Sequence, residues 1–504
     1  MEPREVISEA EERFERWRKT TGLITGPVVF VILYFLPFPS LTHEAHMLLC
    51  VIGLVLVFWL TEALPIPVTA LLGAVLNILL GVASAKEVFS PFAHPLVFLF
   101  IGSFILAEAI SLHGLDKRFS LAILSIRFLE RNPTGLLFAF GIIAAGTSMW
   151  VSNTASTAMM LPIAMGILSA IEDAQIRRQD FNFNRFSTMM MLMIAYGASV
   201  GGIATPVGTP PNLIGIGMID TLLGVKIGFF EWMGFAIPIT VAMFGFLFLL
   251  LGPIGGYGRI RLDIRDYIVR NRALLGSWSR GEINTAIAFS ITVFLWILPS
   301  IAGMVLGKTH PVSELLAARL NAGVVAIMGA VLLFLLPVSL KECRFTMTWR
   351  QAVGIDWGTI VLFGGGLSLG KLMFSTGLAE NFGRWLTGFS GVSDVWGLTA
   401  MGIIFAIILS ETTSNTASAN MVIPLIIAIA QSLDIPALPP ALGACLGASF
   451  GFMLPVSTPP NAIVYGSGMV PILSMVRKGI LFDIGGFFII LFGVMGMCYL
   501  FGWL

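Results

Sequence analysis

Thr209-Pro210-Pro211-Asn212-Leu213-Ile214 and Thr458-Pro459-Pro460-Asn461-Ala462-Ile463 stand 249 residues apart in one chain. Each follows a second repeated signature, Ser152-Asn153-Thr154-Ala155-Ser156 and Ser414-Asn415-Thr416-Ala417-Ser418, offset by 262. All four lie in a chain that is 57% hydrophobic and 11% charged, with a mean hydropathy of +0.92. That composition excludes an ordinary soluble domain and reads as an integral membrane protein. Backbone in lipid must satisfy its own hydrogen bonds, so polar, proline-broken clusters are costly there unless protein encloses them. Two matched pairs of such clusters therefore demand a fold that brings broken helices together, and they point to a duplicated binding site.

Apolar runs long enough to cross about 30 Å of hydrocarbon recur near 23–38, 46–62, 66–85, 94–112, 189–219, 228–251, 284–304, 318–337, 356–375, 439–468 and 481–503. They predict an all-α integral membrane fold with about 11 transmembrane helices. Two further apolar stretches, 135–172 and 396–433, are each interrupted midway by a Ser-Asn-Thr cluster, and each is expected to be a re-entrant hairpin. The chain divides into a cytoplasmic N-terminal segment (1–22), a first half (23–254), a cytoplasmic linker (255–281) and a second half (282–504).

Charge placement orients the spans. With the N-terminus in the cytoplasm and both hairpins returning to the side they came from, 23 of the 29 Lys and Arg fall in cytoplasmic segments. The positive-inside rule supports this topology and puts the C-terminus outside. Met1 to Lys19 mixes Glu and Arg, so a short surface helix is expected there rather than a cleaved signal peptide. The arginines of the linker read as topology determinants and lipid-headgroup contacts, not as a nucleic-acid surface. Cys50, Cys343, Cys445 and Cys498 are too widely spaced to suggest a disulfide framework or a metal site.

The repeat extends beyond the signatures: Leu99-Phe100-Ile101-Gly102 aligns with Leu362-Phe363-Gly364-Gly365, and His113-Gly114-Leu115 with Thr376-Gly377-Leu378, at an offset of 263. Corresponding spans are five apart, an odd number, so the two copies cross the membrane in opposite directions. Inverted repeats with broken helices are a hallmark of secondary transporters.

The clusters suggest their own chemistry. Prolines 210 and 211 remove backbone donors and free carbonyls that need partners, and a small cation is one such partner. Gly208, Thr209 and Asn212 surround the first break, and Ser457, Thr458, Pro459 and Asn461 the second. These carbonyl, hydroxyl and amide oxygens suit a hard cation such as Na+ rather than a transition metal. The second half-helix beyond each break presents free N–H groups and a positive dipole end to an anion. Asn153, Thr154, Asn415 and Thr416 at the hairpin tips, with Thr209 and Thr458 at the breaks, are candidates to hold a carboxylate. No Arg or Lys lies in either motif, so a dianion would depend on bound cations for neutralisation, which couples the two ligands reciprocally. Glu108 aligns with Lys371, as an ion pair between the halves or as snorkelling and contact residues; Glu411 has Met149 as its counterpart, which favours a structural role.

At these residues the chain resembles the divalent-anion/sodium symporter family, with Ala448 through Val464 similar to that family's C-terminal signature. The resemblance covers nearly the whole chain. It implies a homodimer whose scaffold domain holds the dimer contact while a transport domain, with both hairpins and the broken spans, moves as an elevator. It implies sodium ligands at Ser148, Ser152, Asn153 and Gly208 in one site and at Ser410, Ser414, Asn415 and Ser457 in its mate. It implies substrate ligands in Ser152, Asn153, Thr154, Thr209, Ser414, Asn415, Thr416, Thr458 and Pro459. The chain departs from strict duplication by one extra residue between Ser199 and Pro206, and by Gly208 where the second copy has Ser457.

The reading that follows is a bacterial cytoplasmic-membrane carrier of C4-dicarboxylates such as succinate, malate or fumarate, driven by co-transported Na+ and using no organic cofactor. Other members of the same family exchange dicarboxylates without sodium, or carry sulfate or citrate. An enzyme would need a clustered catalytic set, and none of the five His lies near the motifs.

Overall fold

The computed structural model describes residues 9–126, 132–175, 181–258, 265–307, 309–390 and 394–504. Parts of the expected cytoplasmic segments, including Arg127, Arg131, Arg177, Arg178, Arg259 and Arg261, lie outside the described residues. The protein is mostly helical, as the apolar patterning requires.

Seven helices recur in the same order in both halves. Pro95–Leu112, Leu115–Leu124, Pro133–Ser148, Asn153–Gln175, Phe183–Gly202, Pro210–Leu223 and Phe229–Leu251 match Trp357–Ser375, Leu378–Ser390, Val395–Thr412, Asn415–Ser432, Leu438–Gly447, Pro459–Gly466 and Ile472–Phe501. Local chemistry starts many of them. Asn132 accepts from Gly135 N at 2.6 Å, Asp394 from Gly397 N at 2.7 Å and Ser414 from Ala417 N at 3.2 Å, each an N-cap that satisfies an orphan donor. Pro133, Pro210 and Pro459 open their helices, where a missing N–H costs nothing.

Four features differ from these expectations or add to them. First, the N-terminal segment and the first span form one helix, Glu9–Phe35, without a boundary near residue 22. Second, among the described residues eight helices are long and apolar enough to cross a membrane, or nine if the pair Pro311–Arg319 and Ala322–Leu335, bent by 61°, counts as one span. The expected 66–85 and 439–468 runs shrink to helices Ile66–Leu79 and Leu438–Gly447, because turns and breaks follow them. Third, the short helices Leu115–Leu124 and Leu378–Ser390 each begin just past a left-handed glycine, Gly114 (φ 69°) or Gly377 (φ 75°), which turns the chain sharply after the preceding long helix. Fourth, the fold is not purely α: Pro337–Ser339 pairs antiparallel with Arg344–Phe345 in a small hairpin.

One group of helices carries none of the signatures, although the first hairpin tip packs against it through Trp150 and Val151. Pro95–Leu112 packs closely along Ala322–Leu335, with the Gly102 backbone laid against that of Ala326. Arg280–Leu306 joins them, its Thr292 hydroxyl lying where a side chain at Gly329 would be. Arg118, on the short first-half helix, reaches over to the inter-half linker. It pairs with Glu282 at 2.6 Å, donates to the carbonyls of Leu275, Gly276 and Ser277, and lies 5.0 Å from the Trp278 ring centroid.

The signature helices interleave instead. Pro210–Leu223, from the first break, packs on Asn415–Ser432, the second hairpin's outgoing arm. Pro459–Gly466, from the second break, packs on Asn153–Gln175, the first hairpin's outgoing arm. Each half thus completes the other.

Candidate binding site at the breaks and hairpin tips

Pro133–Ser148 and Asn153–Gln175 pack side by side about the tip Met149–Ser152, and Val395–Thr412 and Asn415–Ser432 about Thr413 and Ser414. At both tips the same contact forms. Ser148 Oγ donates to Asn153 Oδ1 at 2.5 Å, and Ser410 Oγ donates to Asn415 Oδ1 at 2.7 Å. In each tip, therefore, a serine from the incoming arm and the asparagine of the outgoing arm already hold their oxygens together. Ser152 and Ser414 accept from the backbone three residues on, at 3.2 Å in both cases.

The breaks repeat as closely. Thr209 has φ −145° and ψ 143°, Thr458 φ −143° and ψ 146°, so both half-helices start from the same extended backbone. Asn212 Nδ2 donates to the carbonyls of Gly202 (2.9 Å), Ile203 (3.2 Å) and Thr205 (2.7 Å). Asn461 Nδ2 donates to those of Gly451 (2.9 Å) and Leu454 (3.0 Å), the positions of Gly202 and Thr205 at the 249-residue offset. Both asparagines are fully buried. At each break an amide of the same motif thus takes carbonyls of the unwound segment. Trp232 Nε1 adds a bond to Ile203 O at 3.1 Å, and Tyr196 Oη one to Phe452 O at 2.5 Å.

The candidate residues separate by exposure. Ser148, Gly208, Ser410 and Ser457, from the expected cation sets, are buried, as are Thr209 and Thr458. Ser152, Thr154 and Pro459 are exposed, and Asn153, Ser414, Asn415 and Thr416 are intermediate. In the first half, the place of a side chain on Gly202 is filled by Asn153 Oδ1, with Gly208 O 3.1 Å away, so Ser148, Asn153 and Gly208 come together. In the second half, Gly451 brings Ser457 Cβ within 3.1 Å and Ser410 Oγ within 3.3 Å of the same virtual position.

The difference between Gly208 and Ser457 has a steric cause. A Cβ on Gly208 would lie 2.5 Å from Gly202 O and 3.0 Å from Gly202 Cα, both backbone atoms that cannot swing away. Ser457 has room, and its hydroxyl donates to Glu411 Oε2 at 2.6 Å. Glu411, 2% exposed, also accepts from the backbone N–H of Phe452 (2.5 Å) and Met453 (2.8 Å). It therefore pins the second break to the second hairpin, the structural role its sequence context favours. In the first half the corresponding tie is neutral: Thr205 Oγ1 donates to the carbonyl of Met149.

Among the described residues Glu108 and Lys371 form no ion pair; the charge acting across from Lys371 is Glu87. Asp483, 6% exposed in the last long helix, lies beside Glu411, and sequence reading passes over it. Its signal was available, since an acid inside an apolar run marks a functional position by default.

Comparison with known proteins agrees with this architecture. The model of the sodium:sulfate symporter transmembrane region matches residues 17–504. An uncharacterized transporter of Haemophilus influenzae is 34% identical over 470 residues, 90% of this chain and 92% of that protein. The sodium-dependent dicarboxylate transporter SdcS of Staphylococcus saprophyticus is 32% identical over 469 residues, 91% of this chain and 87% of that protein. Among solved structures, the YdaH transporter of Alcanivorax borkumensis shares the fold at a TM-score of 0.55 and 15% identity, over 97% of this chain and 98% of that one. With a family model spanning nearly its full length, this chain is a multi-pass membrane protein that belongs to the sodium:sulfate symporter family, the divalent-anion/sodium symporters its signatures resemble.

Proposed function

We propose that this protein carries C4-dicarboxylates such as succinate, malate and fumarate across the bacterial cytoplasmic membrane by sodium symport. The observation that carries the reading is the crossed packing of the two breaks and two hairpins, with the same serine–asparagine oxygen pair at each tip. Four helices start at the hairpin tips and the breaks, Asn153–Gln175, Asn415–Ser432, Pro210–Leu223 and Pro459–Gly466. Each end carries roughly half a positive charge. Such ends attract carboxylates without any Arg or Lys, but their partial charge falls off within the first turn and is partly taken by the Ser152, Ser414 and Thr458 caps, which leaves a dianion short of full neutralisation. Sodium at Ser148, Ser152, Asn153 and Gly208, and at Ser410, Ser414, Asn415 and Ser457, would supply the missing charge. Ser152, Asn153, Thr154, Thr209, Ser414, Asn415, Thr416, Thr458 and Pro459 would then contact the dianion. Each ligand raises the affinity for the other by the same factor.

The grouping of helices supports an elevator. Pro95–Leu112, Arg280–Leu306 and Ala322–Leu335 pack on one another and carry no signature residue, which suits a scaffold that also makes a homodimer contact. The hairpins and broken helices form the moving body, and inverted halves (23–254 and 282–504) would give it two states of similar energy. The N-terminus is cytoplasmic and the C-terminus outside in this reading. The relative named as a sodium-dependent dicarboxylate transporter supports the substrate class and the ion. The family description favours sulfate as a second dianion.

The test is uptake of labelled succinate into proteoliposomes with an inward sodium gradient, against a potassium control, with and without internal dicarboxylate. Symport predicts sodium-dependent uptake into empty vesicles. Uptake that ignores sodium and requires internal dicarboxylate would replace symport with exchange, and inhibition by excess sulfate alone would shift the substrate.

A further inference from the structure

The helix Arg280–Leu306 carries Phe289 and Trp296 seven residues apart. That spacing is two turns, so both rings stand on one face, about 10 Å apart along the axis. The helix centre is residue 293, and the rings straddle it, one about a turn before and the other about a turn after. Trp296 is fixed in place, because its Nε1 donates to Ala322 O at 2.9 Å.

Two rings of the signature-bearing part lie against that face. Trp150, at the first hairpin tip, meets Phe289 edge to face with centroids 5.2 Å apart. Phe229 stacks on Trp296 at 4.4 Å and 14°, and it opens a helix that Trp232 ties to the first break through Ile203 O. Trp150 and Phe229 are stacked in turn, 6.4 Å apart and within 15° of parallel. The indoles differ in how they are held. Trp232 and Trp296 each donate to a backbone carbonyl, whereas among the described residues the Trp150 N–H has no partner. Around Trp150 the tip meets only small apolar side chains of the neighbouring helices, Ala107 and Ala286, beside Phe289. Apolar contact is non-directional, so a ring held this way exchanges one apolar neighbour for another without breaking a hydrogen bond.

We propose that Phe289 and Trp296 are two rungs for Trp150, the inner one occupied in this conformation and the outer one taken when the moving body has travelled about 10 Å outward. Phe229 leaves Trp296 as Trp150 arrives. The rungs lie on either side of the helix centre, which is what end states related by inverted halves require: equal displacement to each side of the middle. This rests on the elevator reading of the chain and assigns it a stroke and a track.

Two cysteine pairs test it, Trp150→Cys with Phe289→Cys and Trp150→Cys with Trp296→Cys, each with Cys343→Ser because Cys343 is exposed. In proteoliposomes treated with mercuric ion both pairs are expected to cross-link, and both cross-links to stop succinate uptake until a thiol reverses them. A 150–296 pair that does not cross-link, beside a 150–289 pair that does and stops uptake, overturns the rungs and leaves an elevator of another stroke. Uptake that continues through a cross-linked 150–289 pair would sink the elevator reading itself, and the rungs with it. If a pair does not transport before cross-linking, Trp296→Ala and Trp296→Phe decide. Loss of the outer ring in Trp296→Ala is expected to lower the maximal uptake rate about fivefold, the weight of one aromatic pair, at unchanged equilibrium affinity for succinate. Trp296→Phe, which loses the bond to Ala322 and keeps a ring, is expected to retain most of the rate. Equal rates in the two variants overturn the proposal.

Discussion

The two helix breaks share one backbone and differ in what backs them. Both start a half-helix from a threonine of the same φ and ψ, both use a buried asparagine to hold the unwound carbonyls, and both face a serine–asparagine pair. The first is closed by glycines and a neutral hydroxyl-to-carbonyl bond from Thr205 to Met149. The second is closed by a carboxylate, Glu411, with a second acid behind it. The backbone of the breaks and the serine–asparagine pairs are therefore common to both halves, while the residues behind them differ.

The largest effect expected concerns what the halves share. Asn212→Ala and Asn461→Ala would each remove a buried amide donor, chiefly from Gly202 O and Gly451 O, since Ile203 O keeps Trp232 Nε1 and Thr205 O and Leu454 O keep the N–H groups of Gly208 and Ser457; each group left unpaired costs about 1–3 kcal/mol. Both variants should melt well below the wild type in detergent, by similar amounts. Small shifts would show that the asparagines do not hold the breaks.

Exchanging the residues that differ should be asymmetric. Gly208→Ser forces a Cβ onto the Gly202 backbone, an overpacking cost of about 1–3 kcal/mol, and should abolish sodium-dependent uptake. Ser457→Gly loses one hydroxyl bonded to Glu411 and should raise the sodium concentration for half-maximal uptake about tenfold, the weight of one such bond. Similar losses in both variants would contradict the steric reason for the difference.

The smallest effects compare the two ties. Glu411→Gln removes the charge from three hydrogen bonds and should cost about 2 kcal/mol, whereas Thr205→Val removes one neutral bond and should cost about 1 kcal/mol. The ranking, read from melting temperatures of the purified proteins, matters more than either value. A reversed order would mean that Glu411 is not the stronger tie.

Much of this arrangement was legible in the sequence because lipid is an unforgiving solvent. Pro210-Pro211 and Pro459-Pro460 can only break a helix, and a Ser-Asn-Thr cluster in an apolar run can only sit where protein surrounds it. The role of Asn212 and Asn461 was not legible, because an amide beside a break serves a ligand or the backbone equally well until the carbonyls are placed. The glycine at position 208 showed as an irregularity, but its cause is the Gly202 backbone, a contact made only on folding. The continuous Glu9–Phe35 helix was hidden because the charged N-terminal turns end the apolar run without ending the helix. Asp483 escaped notice since one acid barely changes the hydropathy of a long apolar run, while its meaning depends on a partner, Glu411, 72 residues earlier.

The central claim is that two halves build one anion site rather than one site each, and binding stoichiometry tests it most directly. Equilibrium binding of labelled succinate to the purified protein in sodium is predicted to give one succinate per chain, abolished by Asn153→Ala alone and by Asn415→Ala alone. Two succinates per chain, with each variant losing one and keeping the other, would contradict it.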